Sequence, residues 1–369
     1  MKGALILQDG TVVEGESFGA RKEARGEVVF NTTMAGYQEY LTDPSYKYQI
    51  LMPTYPLIGN YGVTPERFES DRVQVEGFVV RELCAAPSHG QLVKKLDDWL
   101  KEEGIPGLQG VDTRFLTRKI RNFGVMNGIL CTDYDPEEKE NLIEKARKMK
   151  SISEVDLVEL VTVKKPTVHE PAKTGIAEKT VVLIDCGAKM SIVKSLTDRG
   201  CKVIRVPSST TAKQILDYSP DGMMISNGPG DPERATEIVK NVRKVIDTQL
   251  PTFGICFGNQ LVGRALGART YKLKFGHRGG NQPVKDLRTG KVYVTSQNHG
   301  FAVDGEGLPK DEAEVSHINL NDGSVEGIRH KSLPLFTVQY HPEAHPGPWD
   351  NDYLFDEFME MIDTKKSKR

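Results

Sequence analysis

The chain contains 369 residues, a length that at roughly 150 residues per domain predicts two or three domains rather than one small core. Its 49 Lys and Arg against 51 Asp and Glu leave a formal charge of −2, so no bulk charge draws it to nucleic acid or to an anionic membrane. A hydrophobic share of 38% beside 27% charged residues excludes disorder by composition. In chain order, residues 3–7, 11–14, 27–31, 48–52 and 73–80 carry β-branched or alternating apolar residues between Gly, Pro and Asp, and read as short strands. Residues 90–100 place Leu92, Val93, Leu96, Trp99 and Leu100 on one helical face, and residues 112–121 read as a second helix opened by Asp112. The first half is therefore a mixed α and β unit.

Residues 163–175 are polar, hold Pro166 and Pro171 and show no periodicity, as a linker does. The expected division is an N-terminal domain over 1–163, a linker over 164–178 and a second domain over 179–369. Residues 180–185 then form a continuous apolar run, the pattern of a strand buried on both faces. Helical stretches over 190–199, 212–216, 232–247 and 257–266 alternate with strands over 202–206, 221–226 and 251–255. Such alternation predicts an α/β fold with a mostly parallel sheet flanked by helices and active groups at the strand ends. After residue 270 the order becomes mixed.

The five cysteines, Cys84, Cys131, Cys186, Cys201 and Cys256, are widely spaced with no C-x-x-C pair, so neither a disulfide framework nor a metal site is expected. The first nine residues lack a signal h-region and no stretch reaches the ~18 apolar residues of a membrane span. A cytoplasmic location without a membrane partner is the expectation, and Asn31-Thr32-Thr33 is taken as a chance glycosylation pattern.

Three strings carry chemistry. In Gly254-Ile255-Cys256-Phe257-Gly258 a buried strand turns into a helix with the cysteine at the corner, the geometry of a nucleophile elbow, and the helix's first amides favour a thiolate. A small buried cysteine between packing glycines has the same signature. His341-Pro342-Glu343 follows the apolar run 335–338, so a carboxylate can hold one ring nitrogen while the other faces a sulfur. A lone hydrogen-bonded loop histidine is the plainer alternative. Finally, Ser226-Asn227-Gly228-Pro229-Gly230-Asp231-Pro232 is a glycine turn after a strand, able to aim backbone N–H groups at an oxyanion, or simply a turn.

In this order on an alternating α/β segment, these strings resemble a class I, triad-type glutamine amidotransferase domain. The whole chain further resembles the small, glutamine-hydrolysing subunits of carbamoyl phosphate synthetases, through residues 30–39, 41–46, 111–114, 275–281 and 297–303. The resemblance implies that Cys256 is the nucleophile, His341 the general base and acid, and Glu343 the orienting carboxylate. It implies an oxyanion hole from the amides of Gly230 and Phe257, and L-glutamine contacts from Ser45, Gly228, Gln260, Asn298, Gly300 and Phe301, near the junction of the two halves. It also implies a large-subunit partner that receives the ammonia and carries the ATP and Mg chemistry of arginine and pyrimidine synthesis, with no cofactor or metal on this chain. A catalytically silent regulatory subunit and the glutaminase of another ammonia-channelling synthetase are the alternatives. One departure stands out: the family usually has His where this chain has Asn259, a change expected to leave activity intact because His341 is the base. His345 is expected to be a bystander.

Overall fold

The computed structural model describes residues 1–172 and 179–366, and the chain divides into two units, Met1–Val155 and Asp156–Arg369. In the first, the short alternating runs become strands of a closed barrel. Around it the order is Lys2–Leu7, Val12–Gly19, Pro106–Gln109, Gly77–Val79, Gln49–Pro53, Ala24–Asn31 and Met126–Cys131, which returns to the first. Closure leaves no unpaired edge. The strand expected over 73–80 is confined to Gly77–Val79. Pro106–Gln109 escaped the reading because Pro106-Gly107 looks like a breaker. Pro is tolerated as the first residue of a strand, and a Cβ on Gly107 would lie 2.4 Å from the Phe18 ring.

Helix Thr113–Phe123 opens as expected, with the Asp112 carboxylate accepting from Phe115 N at 2.9 Å. The helix expected over 90–100 instead spans Leu96–Glu102. Residues before it are drawn out by pairing with Val63, whose carbonyl accepts from Val93 N at 2.9 Å. Val93 is consequently 58% exposed, whereas Trp99 and Leu100 are buried.

The second unit is built on a sheet of ten strands. Five of them, in the order Cys201–Pro207, Lys179–Asp185, Gly222–Ile225, Thr252–Ile255 and Leu335–Val338, run parallel. Antiparallel strands Val325–His330, Ala313–Asn319, Thr270–Asp286 and Val292–Val303 continue it beyond Leu335–Val338. Alternate side chains feed two separate cores, as the two-residue period of a strand requires. Val182, Ile184, Met223 and Ile225 pack with Ile215, Val242, Val245 and Leu261 of the helices on one face. Val181, Leu183, Met224 and Phe253 pack with Ile192, Leu196, Phe355 and Phe358 of those on the other. Both faces are thus covered, which is why residues 180–185 read as an unbroken apolar run.

The expected linker over 164–178 is corrected in part. Residues 156–172 belong to the second unit. Helix Val158–Val161 puts Val158 into its core, Thr162 Oγ1 donates to Asp185 O at 2.6 Å, and Thr167–His169 adds an antiparallel edge strand beside Cys201–Pro207. An exposed edge strand buries little, so it has no need of an apolar period, and Val168 is 52% exposed. Residues 173–178 of the expected linker lie outside the described residues.

Candidate active site

Cys256 stands where strand Thr252–Ile255 ends and helix Phe257–Ala265 begins. Its backbone, with φ 55° and ψ −100°, lies in a region that L residues avoid, at a cost of roughly 1–3 kcal/mol. Neighbours hold it there. Cys256 N donates to Val338 O at 2.8 Å and Gly258 N to Ser226 O at 3.1 Å. The flanking glycines are demanded by close approach: a Cβ on Gly258 would lie 2.4 Å from Ile225 O, and one on Gly254 would lie 2.9 Å from the Gly258 backbone. Below the elbow, Phe253 stacks on Phe336 with ring centroids 4.4 Å apart and meets Phe355 edge-on, a rigid aromatic support. The thiol is 1% exposed and lies 3.6 Å from Asn298 O.

His341 follows the neighbouring strand and is tied to Val292–Val303 by its N–H, which donates to Ser296 O at 2.8 Å. Its Nδ1 is 2.6 Å from Glu343 Oε1. A carboxylate only accepts, so the proton sits on Nδ1 and Nε2 is left for chemistry. Nε2 is buried, meets no hydrogen-bond geometry among the described residues, and has the Cys256 thiol near enough to raise the imidazole's pKa. Burial works against the imidazolium, but the Glu343 carboxylate outweighs it and holds His341 well above its ordinary value, with Lys189 pulling the other way. For Glu343, burial favours the neutral acid, but the Lys189 and His341 charges prevail and keep it a carboxylate.

The structure therefore brings Cys256, His341, Glu343 and Asn298 together. Gly228 and Gly230 occupy the turn after Gly222–Ile225: a Cβ on Gly228 would lie 2.3 Å from Cys186 O, and Gly230 has φ 90°. Gly300 and Phe301 lie on the same strand as Asn298. Gln260, on the helix below the thiol, donates to Phe301 O at 2.9 Å and Gln339 Oε1 at 3.2 Å. Ser45 lies in the other unit, buried in the short turn Pro44–Tyr46, where its N–H donates to Asp43 Oδ1 at 2.9 Å. Asn259 is fully buried, donating to Gln339 Oε1 at 3.1 Å and accepting from Thr337 Oγ1 at 2.7 Å. The residue at the departure from the usual elbow thus has its own place in the network. His345 packs edge-on against Trp349.

Two groups escaped the sequence reading. Lys189, at the start of helix Met190–Thr197, is 3% exposed with Nζ 3.1 Å from Glu343 Oε1. A lysine opening a helix carries no local signal of burial. The second is a buried cluster of His277, His299 and Glu326, whose ligand atoms lie within 4.8 Å of one another. Their polar atoms are engaged by protein. His277 meets Asp322 at 2.9 Å and Glu326 at 3.5 Å, His299 faces Phe301 O at 2.8 Å and Gln297 Oε1 at 3.0 Å, and Glu326 accepts from Gln297 at 2.9 Å and Asn319 at 3.2 Å.

This cluster makes stability depend on pH. Burial disfavours the charged His277, but hydrogen bonds to Asp322 and Glu326 prevail and push it up to about 9. A folded-state pKa above the unfolded value of ~6.5 contributes stability that is complete below ~6.5 and is lost as pH rises through about 9. The full effect is on the order of 3 kcal/mol. Melting temperatures between pH 6 and 9.5 should fall in the parent and fall less in His277→Asn. Parallel curves for the two proteins would show that His277 does not titrate in this way.

A cysteine elbow at the end of a central parallel strand, with a His–Glu pair beyond the adjacent strand, defines this unit as a class I glutamine amidotransferase, and the family described as glutamine amidotransferase class-I matches residues 182–361. The family described as carbamoyl-phosphate synthase small chain, CPSase domain, matches residues 5–130. The carbamoyl phosphate synthase small chain of Methanocaldococcus jannaschii is 56% identical, covering 99% of this chain and 100% of that one. Those of Methanopyrus kandleri and Bacillus caldolyticus are 53% and 51% identical, covering 98% of this chain and 99% and 97% of theirs. The chain belongs to the carbamoyl phosphate synthase small chain family and carries its glutamine-hydrolysing type of domain.

Proposed function

We propose that the chain hydrolyses L-glutamine to glutamate and ammonia through Cys256, His341 and Glu343, and delivers the ammonia to a carbamoyl phosphate synthase large chain. The observation that carries this reading is the buried strand-to-helix thiol near His341, whose other nitrogen is held by Glu343 at 2.6 Å. His341 Nε2 takes the Cys256 thiol proton, and the resulting thiolate attacks the side-chain amide carbon of glutamine. The resulting oxyanion is met by the N–H groups of Gly230 and of Phe257, the first amide of its helix and hence one without an intrahelical acceptor. His341 Nε2 protonates the departing nitrogen, and a glutamyl thioester remains. The same nitrogen then takes a proton from water, which attacks the thioester and releases glutamate and the Cys256 sulfur. Gln260, Asn298, Gly300 and Phe301 line the substrate's position. Bicarbonate and ATP, with Mg, are handled by the large chain.

A glutamine analogue with an electrophilic carbon at the amide position tests the site directly. Peptide mass mapping should find it on Cys256 alone, with excess glutamine slowing the reaction. Labelling of the half-buried Cys84 at an equal rate, indifferent to glutamine, would remove the basis for the assignment and favour a silent subunit.

A further inference from the structure

Lys189 is a buried cation that the reaction as written does not use. Its Nζ donates to Ala344 O at 2.6 Å and sits 3.1 Å from Glu343 Oε1, the oxygen that also holds His341 Nδ1. Its own place is set by backbone: Lys189 N donates to Asn227 Oδ1 at 3.1 Å, and the preceding Gly187 and Ala188 amides donate to the buried Asp185 carboxylate at 2.9 and 2.7 Å. On the other side, Ala344 and His345 have φ of 58° and 49°. Two successive non-glycine residues in the left-handed region persist only where the surroundings hold them. The Lys189 ammonium grips the first of the two by its carbonyl and, at the same time, the catalytic carboxylate immediately before it.

We propose that Lys189 is a positioning residue of the glutaminase site, fixing Glu343 and Ala344 and balancing the carboxylate's charge so that His341 can both accept and release its proton. The inference rests on the reading of Cys256, His341 and Glu343 as the reacting groups. Its physical basis is charge count. A lone buried carboxylate beside an imidazole holds it as imidazolium, which serves as an acid but not as a base. The ammonium offsets part of the carboxylate's hold on the imidazolium, so that the imidazole gives up its proton more readily than it would beside Glu343 alone. The titratable groups facing His341 are Glu343 on its own loop, Cys256 at the elbow, His299 on Val292–Val303 and Lys189 on its helix. Removing the one fixed cation among them makes protons of the thiol–imidazole pair harder to remove, so the acid limb of activity moves to higher pH.

The test uses the full chain with its large chain, in parental, Lys189→Gln and Lys189→Arg forms. Gln keeps a donor for Ala344 without the charge, and Arg keeps the charge. Two readouts are followed against pH: kcat/KM for glutamine hydrolysis, and the rate at which iodoacetamide alkylates Cys256, which needs no glutamine. In K189Q both acid limbs should move up by about one pH unit, lowering kcat/KM on that limb roughly tenfold, while K189R should keep the parental limbs. Unmoved limbs in K189Q, or equal losses in K189Q and K189R at parental limbs, would reduce Lys189 to ordinary packing. Cys256→Ser, run alongside, separates the two levels. If it keeps glutaminase activity, the triad reading fails; if it is inactive while K189Q matches the parent, the Lys189 proposal alone fails.

Discussion

Replacing Cys256 by Ser in the assembled synthase is expected to stop glutamine-dependent carbamoyl phosphate formation while leaving synthesis from added ammonia at the parental rate. The reason lies in the elbow. Backbone at φ 55° aims this one side chain from the strand end, and on the proposed mechanism the imidazole of His341, held by Glu343 at 2.6 Å, exchanges a proton with it. A serine hydroxyl retains the position but is far less acidic than a thiol, so the nucleophile is missing and the hydrolytic rate should fall by roughly 10⁴-fold or more. Glutamate release and carbamoyl phosphate formation, each measured with glutamine and with ammonia, check both halves of the expectation. Glutamate release near the parental rate would place the chemistry elsewhere. Loss of the ammonia-dependent reaction as well would show damage to the assembly rather than to the glutaminase step.

Gly258→Ala should have the second largest effect, although a methyl is the smallest group that can be added. The new Cβ would lie 2.4 Å from Ile225 O. That neighbour is backbone in the middle of the parallel sheet and cannot swing aside as a flexible side chain could. The helix must therefore move off the strand, weakening the Gly258 N to Ser226 O hydrogen bond of 3.1 Å and shifting Cys256. Overpacking of this kind destabilises by roughly 1–3 kcal/mol, and a displacement near 1 Å of the nucleophile reduces turnover by about 10²-fold. Gly90→Ala is the matched control, because a Cβ there meets nothing within 4 Å. Calorimetric melting and glutaminase rates of the two variants should diverge. Equal melting and equal rates would mean that the helix can approach the strand without a glycine.

What was readable beforehand follows from how far apart the determinants lie. The alternation over 180–266 announced the parallel sheet because central strands such as Lys179–Asp185 and Gly222–Ile225 are buried on both faces and are largely apolar. Asp112 announced its helix because a cap acts over three residues, to Phe115 N at 2.9 Å. The elbow was legible for the same reason: strand, corner and helix with their glycines are contiguous. Where an element owes its shape to a distant partner, the local pattern misled. Residues 92–94 extend because Val63 pairs with them, and Thr167–His169 becomes an edge strand because Cys201–Pro207 offers it a ladder.

The site divides along the same line. Cys256 with its glycines, His341 two residues before Glu343, and the turn through Gly228 and Gly230 were determined by the sequence itself, since short-range backbone geometry shapes each of these pieces. Only the tertiary structure decided that Lys189 lies buried 3.1 Å from Glu343. It alone showed that Asn259 bonds Gln339 and Thr337, and that His277, His299 and Glu326 share one polar cluster. A buried polar group is defined by the partners that replace its water, and those partners lie 38 to 154 residues away along the chain, for Lys189 in Asn227 and Glu343. No period, cap or turn encodes such a pairing, so it exists only once the sheet has brought its strand ends together.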